Sequence, residues 1–477
     1  MADPVPPRRP RDPSNPSAPR RDDSVLGGRV QRGAKLARLS ASTGTGFLSS
    51  RVRSLRDGDV AEHRFHTETA EKMLELLGSM KGAAMKLGQI ASFVDLDLPP
   101  EVQATYRSIL ADLRAAAPAA EPARIAQVVH DEFGAPPDQV FAVWEAEPFA
   151  AASIGQVHRA QLHDGAAVVV KVQYPGVAEA VEGDLANAEM FAPLARLMSP
   201  NLQIKPLVEE LRARVIDELD YQREAQYQQA FAERYDGHPF IRVPKVFPDY
   251  SRPRVLTSEF IDGRGFDDML ATSSADERRR YGEIVYRFVF GSLNRFRLFN
   301  ADPHPGNYLF PADGTVAFLD FGSVKLFSTR TRNQIRQQLR AIISGDLDRF
   351  VQVMSDAGFL PANLHADTPR ILEWFQLLNR PLLEDREFTY TPEFAREVIS
   401  SATDPRSGYF DLLRRLNLPP DYLTLNRIQW GVNSILGGLG ARANWHRIVT
   451  EFWDDAPPAT ALGQQERAFI DASPFRA

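Results

Sequence analysis

Residues 300–307 are Asn-Ala-Asp-Pro-His-Pro-Gly-Asn, and residues 318–322 are Phe-Leu-Asp-Phe-Gly. The two stretches supply Asp302, then Asn307 five positions later, then Asp320 thirteen positions after that. Mg²⁺ prefers carboxylate and amide oxygens as ligands, and phosphoryl transfer needs such ligands to bridge the phosphates. A single aspartate beside a Pro-Gly turn is more often a turn residue. The prediction of a Mg²⁺–phosphate site therefore depends on all three residues occurring in this order.

A lysine upstream strengthens this prediction. Lys171 ends the apolar run Val168-Val169-Val170, which has the pattern of a short β-strand. Such a lysine usually extends its ammonium group to solvent, but in protein kinases a lysine in this strand context contacts the α- and β-phosphates of ATP. Lys171, Asp302, Asn307 and Asp320 follow the order and spacing that protein kinases use. The sequence therefore predicts an α+β fold with two lobes, of the protein-kinase type.

Periodicity and composition divide the chain into four segments. Seven of the 35 prolines lie in the first 19 residues, so residues 1–30 are predicted to be a disordered Pro/Arg-rich tail. Residues 31–130 are predicted to form a helical extension. A small lobe with a helical insertion follows at 131–260, and a helical large lobe at 261–477.

The predicted elements fit this division. Apolar residues at three- and four-residue steps predict a helix at 60–94, and further helices are expected at 101–113 and 124–135. The predicted strands of the small lobe are 140–144, 155–160, 167–172, 243–247 and 254–260, with an Asp164-Gly165 hairpin turn. A second turn is predicted at Asp313-Gly314, between two short apolar runs.

Composition excludes several classes of protein. The 477 residues are 43% hydrophobic and 25% charged, which is typical of a globular chain. The absence of cysteine excludes disulfide scaffolds, Cys-ligated zinc, iron–sulfur clusters and thiol nucleophiles. A net charge of −6 gives no indication of nucleic-acid binding. The longest apolar stretch, residues 428–441, has four glycines and is too short to span a bilayer, so a cytoplasmic location without a transmembrane segment is expected.

Together the motifs resemble the UbiB/AarF family of atypical kinases over about residues 60–445. The resemblance lies in Lys86-Leu87-Gly88-Gln89, an alanine-rich loop after Phe149, Glu218-Leu219-Asp220-Tyr221, and the 301–307 and 320–322 stretches. It implies binding of ATP or ADP with Mg²⁺, and ATPase activity or phosphoryl transfer. It also implies a role in isoprenoid quinone biosynthesis or lipid homeostasis, with an isoprenoid lipid or quinone precursor as a candidate partner and a peripheral membrane contact as a candidate mode of localisation.

The resemblance also implies roles for individual residues. Lys171 would bind the nucleotide and pair with Glu224 (Glu218 is the fallback partner), Asp302 would be catalytic, and Asn307 and Asp320 would bind Mg²⁺. The other nucleotide contacts would come from the loop of Ala150, Ala151, Ala152 and Ser153 and from Glu259 and Ile261 of the hinge. A regulatory contact over the active site would join Lys86 and Gln89 to Glu218 and Asp220.

Two departures from the kinase pattern affect the expected function. Asn300 replaces the histidine that usually stands two residues before the catalytic aspartate. No Ala-Pro-Glu motif follows Asp320-Phe321-Gly322, which argues against a protein substrate. The alternatives are a nucleotide-gated pseudokinase scaffold or a lipid-binding module without phosphoryl transfer. A small-molecule kinase of the aminoglycoside or choline type is disfavoured by the Lys86-x-Gly88-Gln89 motif.

Overall fold

The computed structural model describes residues 120–152, 154–179, 219–300, 302–360, 367–404, 406–413, 415–417 and 419–473. Four of the predicted site residues lie outside these ranges: Lys86, Gln89, Ser153 and Glu218. The predicted tail, the helices expected before residue 114 and most of the small-lobe insertion lie outside them too. For these parts of the chain the sequence-based expectations stay predictions.

The elements of the described residues follow the predicted order of a strand-rich block and a helical block. The helices are α1 Pro122–Phe133, α2 Pro137–Val140, α3 Tyr221–Arg234, α4 Phe266–Thr272, α5 Ala275–Phe296, α6 Thr329–Ser344, α7 Leu347–Asp356, α8 Thr368–Leu378, α9 Arg380–Leu383, α10 Pro392–Thr403, α11 Phe410–Leu413, α12 Pro420–Leu439, α13 Trp445–Asp454 and α14 Ala461–Ala472. The strands are β1 Val143–Trp144, β2 Ala150–Ala151, β3 Gly155–Gln161, β4 Ala167–Gln173, β5 Ile241–Arg242, β6 Val255–Glu259, β7 Leu298–Asn300, β8 Tyr308–Leu309, β9 Val316–Phe318, β10 Val324–Leu326, β11 Phe388–Thr389 and β12 Arg442–Ala443. The predicted α+β class is confirmed.

An antiparallel sheet of order β1-β3-β4-β6, with β2 paired to β3, forms the small lobe. The predicted hairpin turn joins β3 to β4, because Gly165 adopts a φ of +90° and Ala166 N–H donates to Asp164 Oδ1 at 2.9 Å. Side chains alternate along β4, so Val168, Val170 and Val172 are buried in one core. Lys171 therefore projects from the opposite face of the sheet.

Helix α1 belongs to the core of the small lobe. Its apolar stripe of Ile125, Val128 and Val129 is in one hydrophobic cluster with the valines of β4. Helix α1 therefore packs on the small lobe, although the division predicted from the sequence counts residues 122–130 with the helical extension. The strand expected at 140–144 is shorter than predicted, since Pro137 begins the helical turn α2 and pairing starts at Val143.

Helix α5 is the centre of the large lobe. A capping box of Ser274 and Glu277 begins it, and its 22 residues are largely buried. Gly282 lets the chain after α12 approach, because a Cβ at that position would lie 2.4 Å from Ala441 Cβ. In the part of the chain that is described, no helix is long and apolar enough to cross a membrane.

Two small strand pairings position the loops that carry the motifs. Strand β7 leads into the 301–307 loop, and β10 follows Asp320-Phe321-Gly322. The two strands pair antiparallel with Val324 opposite Asn300, so the start of the 301–307 loop lies beside the end of the Asp320-Phe321-Gly322 loop. Strand β9 lies between β5 and β8, and this three-stranded sheet fixes the other end of both loops.

A buried histidine beside α14 makes stability depend on pH. Burial lowers the pKa of His238 from 6.5 to about 4, while Glu466 opposes the shift and Arg295 and Arg287 add to it. The folded chain therefore favours neutral imidazole, whereas the unfolded chain binds a proton below about pH 6.5. The stability contribution is complete above pH 6.5 and is lost as the pH falls towards 4. We expect the free energy of unfolding to drop by about 2 kcal/mol between about pH 7 and about pH 5 from this group.

Urea denaturation of His238→Gln at both pH values checks this expectation. The glutamine oxygen replaces Nδ1, which accepts from Ile241 N–H at 3.1 Å in the native chain. The variant should lose about 2 kcal/mol of the pH dependence, and an unchanged pH dependence would show that other groups cause it.

Candidate functional site

The first half of the site joins a strand of the small lobe to α3. Lys171 Nζ on β4 donates to both carboxylate oxygens of Glu224, at 2.9 and 3.0 Å. Glu224 lies in the first turn of α3, whose N-cap is Asp220, with its side chain accepting from Arg223 N–H at 3.0 Å. The side chain of Glu224 is 3% exposed and that of Lys171 is 18% exposed. The two residues predicted to pair therefore lie in direct contact, and Asp220 holds the start of the helix that carries one of them.

The ammonium group of Lys171 is also the point where both lobes meet. Asp320 Oδ2 of the large lobe lies 3.9 Å from Lys171 Nζ, and the ring of Tyr221 has its centre 4.9 Å from it. Burial would lower the pKa of Lys171, but the carboxylates of Glu224 and Asp320 outweigh this effect and hold the pKa well above its ordinary value. Lys171 is therefore a permanent cation at the floor of the cleft between the lobes.

Asp320 is oriented by its own loop. Its Oδ1 accepts from Gly322 N–H at 2.9 Å, which leaves Oδ2 on the side of Lys171. The next residue, Phe321, is fully buried, and its ring centre lies 5.0 Å from that of Phe231 on α3. The Asp320-Phe321-Gly322 loop thus packs against the same helix that carries Glu224. Movement of α3 would displace both carboxylates that face Lys171.

Asn300 connects the two loops that carry Asp302 and Asp320. Its Nδ2 donates to the main-chain oxygen of Asp320 at 2.8 Å, and its Oδ1 accepts from Asp302 N–H at 3.1 Å. An asparagine has one donor group and one acceptor group, so it satisfies both loops at once. Asn300, which stands where protein kinases usually have a histidine, therefore joins the two loops by hydrogen bonds.

Asn307 and Asp302 lie side by side in the loop after β7. Asn307 Nδ2 donates to Asp302 O at 3.2 Å and to Asp302 Oδ2 at 3.3 Å, which points the amide oxygen of Asn307 away from Asp302. Asn307 O accepts from Leu319 N–H at 3.0 Å, one residue before Asp320. Hydrogen bonds thus link Asn307 both to Asp302 and to the residue that precedes Asp320.

Two glycines that the sequence did not single out as site residues allow this packing. A Cβ on Gly155 would lie 2.2 Å from the main-chain oxygen of Val172, next to Lys171. A Cβ on Gly431 would lie 2.6 Å from Cγ of Pro303, so a glycine lets α12 support the loop of Asp302 from behind. The sequence could indicate these two contacts only in a general way, because a glycine inside a helix or strand can mark a close approach of another segment.

The alanine-rich loop lies between β2 and β3, and the segment expected to be the hinge follows β6. Ala150 and Ala151 pair with Val157 and Gln156 of β3, and Ala152 N–H donates to Gly155 O at 2.9 Å. The loop therefore joins two strands of the sheet, which is where the sequence predicts a loop over the phosphates.

The segment expected to be the hinge follows β6. Glu259 is the last residue of β6, and Ile261, two residues later, is buried. The Glu259 side chain instead accepts from Arg242 Nη2 at 3.3 Å. If the hinge contacts a nucleotide, main-chain groups and not this carboxylate would make the contact.

The bridging position of Asn300 is open to a direct test. Asn300→Ala removes both hydrogen bonds, so we expect the free energy of unfolding to fall by about 1–2 kcal/mol and phosphate release from Mg-ATP to fall by about tenfold. Asn300→His, which keeps a donor and an acceptor, should lose less activity than Asn300→Ala. Asn333→Ala on the exposed face of α6 is the control and should change neither quantity. Full activity in Asn300→Ala would show that the bridge does not position the loops.

Comparison with known proteins agrees with this geometry. The model of the ABC1 atypical kinase-like domain matches residues 112–354, which includes β1–β10, α3 and every cleft residue described above. The chain belongs to this family. The mitochondrial atypical kinase COQ8B of Rattus norvegicus is 32% identical over 367 residues, which are 74% of this chain and 69% of COQ8B.

Other members of the ABC1 family give a similar result. A protein of Azotobacter vinelandii named "Probable protein kinase UbiB" is 32% identical over 287 residues, 58% of this chain and 53% of UbiB. Among solved structures, the Rv3197–erythromycin complex from Mycobacterium tuberculosis is 28% identical, with a TM-score of 0.60 over 83% of this chain and 98% of Rv3197. The chain is thus similar to UbiB/COQ8-type atypical kinases, as the resemblance in the sequence implied.

Proposed function

We propose that the chain binds ATP or ADP with Mg²⁺ between its lobes and transfers the γ-phosphoryl group, either to water or to a small or lipid acceptor. The observation that carries the proposal is the position of Lys171 Nζ, 2.9 Å from Glu224 of α3 and 3.9 Å from Asp320 of the large lobe. A cation fixed between the lobes, beside one carboxylate that faces the cleft, suits the triphosphate of a nucleotide bound with its metal.

The donor set fits Mg²⁺. Asp320 offers Oδ2, Asn307 offers its amide oxygen, and the Asp302 carboxylate lies beside Asn307. Mg²⁺ is usually held by one or two carboxylates together with phosphates and water, so these oxygens suffice when the nucleotide supplies the rest. When bound, Mg²⁺ would neutralise negative charge on the phosphates, and Asp320 and Asn307 would be the residues that hold it.

The other residues of the cleft would each have a separate role in phosphoryl transfer. Lys171 would neutralise charge on the α- and β-phosphates, and Glu224 fixes the direction of its ammonium group. Asp302 would orient the attacking hydroxyl or water and accept its proton at the carboxylate. Asn300 would keep Asp302 and Asp320 at a fixed separation through its hydrogen bonds to the main chain of both. The loop of Ala150, Ala151, Ala152 and Ser153 would cover the phosphates, and the main chain from Glu259 to Ile261 would contact the adenine.

The proposed biological role is support of isoprenoid quinone metabolism or lipid homeostasis. The similarity to UbiB and COQ8B and the family motifs support this role. The acceptor is proposed not to be a protein, because α6 begins at Thr329, seven residues after Gly322, where protein kinases have their peptide-binding segment. A cytoplasmic location with a peripheral membrane contact, and an isoprenoid lipid or quinone precursor as partner, belong to the same proposal. So does a regulatory contact of Lys86 and Gln89 with Glu218 and Asp220.

Phosphate release from Mg-ATP by the native chain and by Asp320→Asn tests the activity. Asp320→Asn should lose at least about a hundredfold in release, because the substitution removes a metal-binding charge. Asp276→Asn is a matched control, since Asp276 is 90% exposed on the outer end of α5. Nucleotide binding without phosphate release in the native chain would favour the alternative of a nucleotide-gated pseudokinase scaffold or lipid-binding module. Release that is equal in the native chain and Asp320→Asn would contradict the proposed metal site.

A further inference from the structure

An arginine of β3 lies on the same face of the small-lobe sheet as Lys171. Arg159 pairs with Val169 of β4, two residues from Lys171 along the strand. Because side chains alternate along a strand and paired residues share a face, Arg159 and Lys171 project to the same side. Phe260, in the segment expected to be the hinge, donates its N–H to Ala167 O at 3.1 Å. This segment therefore borders the end of the sheet that carries Arg159.

Two aromatic rings contact this arginine. The guanidinium carbon of Arg159 lies 4.0 Å from the ring centre of Phe149 and 5.1 Å from that of Phe260. The two rings meet edge to face, with their centres 6.1 Å apart. Among the described residues no carboxylate pairs with Arg159, and its Nε has no hydrogen-bond partner. Contact with the rings therefore orients the guanidinium, and the guanidinium in turn restrains the ring of Phe149.

Phe149 remains half exposed in spite of these contacts. Its side chain is 50% exposed, and it directly precedes Ala150 of the alanine-rich loop. Its N–H donates to Val157 O of β3 at 2.7 Å, which fixes the main chain at this point. A restrained aromatic ring with half of its surface accessible can stack on another flat aromatic group.

We propose that the base of the bound nucleotide stacks on Phe149, and that Arg159 is a positioning residue that holds the ring for this contact. The inference rests on the nucleotide binding proposed above, with the phosphates at Lys171 and the adenine at the main chain of residues 259–261. Phe260 lies in that segment and contacts the ring of Phe149, so a base that reaches the segment lies beside this ring. Stacking depends on the flat surface of the base and not on its hydrogen-bonding groups.

Two ligands, each with Mg²⁺, test the stacking contact by calorimetric titration of the full chain: ADP, which has a base, and inorganic tripolyphosphate, which lacks it. Phe149→Ala should weaken ADP binding by about tenfold and leave tripolyphosphate binding within about twofold of native. Phe149→Tyr keeps an aromatic ring and should bind both ligands as the native chain does.

The outcomes separate this inference from the function on which it rests. Unchanged ADP affinity in Phe149→Ala, or an equal loss of affinity for both ligands, would overturn the stacking contact and leave the proposed function standing. Failure of the native chain to bind either ligand would contradict the proposed function itself.

Val143→Ala is the matched control, because Val143 of the edge strand β1 is also apolar and 51% exposed. This variant should keep native affinity for both ligands. Loss of ADP affinity in Val143→Ala but not in Phe149→Ala would place the base at the outer edge of the sheet and contradict the proposed contact.

A double-mutant cycle tests the positioning role of Arg159. Arg159→Met removes the charge beside the ring, so it should weaken ADP binding about threefold in the native chain and less than about 1.5-fold in Phe149→Ala. Arg159→Lys keeps a cation and should lose less affinity than Arg159→Met. An equal loss with and without Phe149 would show that Arg159 does not act through this ring, and would overturn its positioning role.

Discussion

Lys171→Met should reduce phosphate release from Mg-ATP by at least about a hundredfold and weaken nucleotide binding by about tenfold or more. The substitution keeps most of the apolar stem of the side chain but removes the cation that lies 2.9 Å from Glu224 and 3.9 Å from Asp320. Two carboxylates then face the phosphates of the nucleotide without compensation, and their repulsion opposes binding. Fluorescence titration with a labelled ADP and a phosphate-release assay measure the two effects.

Loss of folding could imitate loss of binding in this variant, so a control is needed. Lys245→Met removes a lysine that is 65% exposed and paired with Asp236 outside the cleft, and it should keep native activity. The double variant Lys171→Met with Glu224→Gln removes the buried charge left behind and should recover stability but not activity. Nucleotide affinity within about twofold of native in a folded Lys171→Met chain would refute the role of this lysine.

Arg287→Met should lower the free energy of unfolding of the large lobe by about 3–5 kcal/mol. The guanidinium of Arg287 on α5 is fully buried and donates to Glu283 at 2.7 Å, to Glu451 of α13 at 2.8 Å and to Glu466 of α14 at 2.7 Å. Burial would lower the pKa of Arg287, but the three carboxylates raise it instead. Removal of this cation leaves several buried carboxylates with reduced compensation.

Urea denaturation followed by tryptophan fluorescence measures this effect, because Trp445 and Trp453 lie on α13 beside the cluster. Arg396→Met is the control: Arg396 forms an exposed ion pair with Glu393, so its loss should cost no more than about 0.5 kcal/mol. Arg287→Lys should lie between the two, since a single ammonium cannot reproduce the fork of the guanidinium. Equal stabilities of Arg287→Met and Arg396→Met would show that the cluster does not hold α13 and α14 to α5.

The sequence was most informative where structure depends on local pattern. The apolar valine run predicted the strand of Lys171, and Asp164-Gly165 predicted the hairpin turn that joins β3 to β4. The spacing of Asp302, Asn307 and Asp320 predicted one polar site because the connecting segments are short. Each of these inferences needs residues close together in the chain.

Contacts between distant residues could not be found in this way. Arg287 and Glu466 are 179 positions apart, and in a sequence both look like ordinary charged residues of amphipathic helices. Gly431 packs against Pro303 from more than a hundred positions away. In a sequence, a glycine within a helix indicates a less stable helix and does not indicate a contact. The Nδ2 of Asn433 on α12, which is unpaired among the described residues, becomes visible only when the packing around this buried residue is known.

We propose that a Mg²⁺-bound nucleotide lies between Lys171 and the pair of Asn307 and Asp320. A crystal structure of the full chain with Mg²⁺ and a non-hydrolysable ATP analogue tests it most directly. We expect a metal ion about 2.0–2.1 Å from oxygens of Asp320 and Asn307, with the phosphates in contact with Lys171 Nζ. A nucleotide bound elsewhere, or a metal ion that touches neither Asp320 nor Asn307, would contradict it.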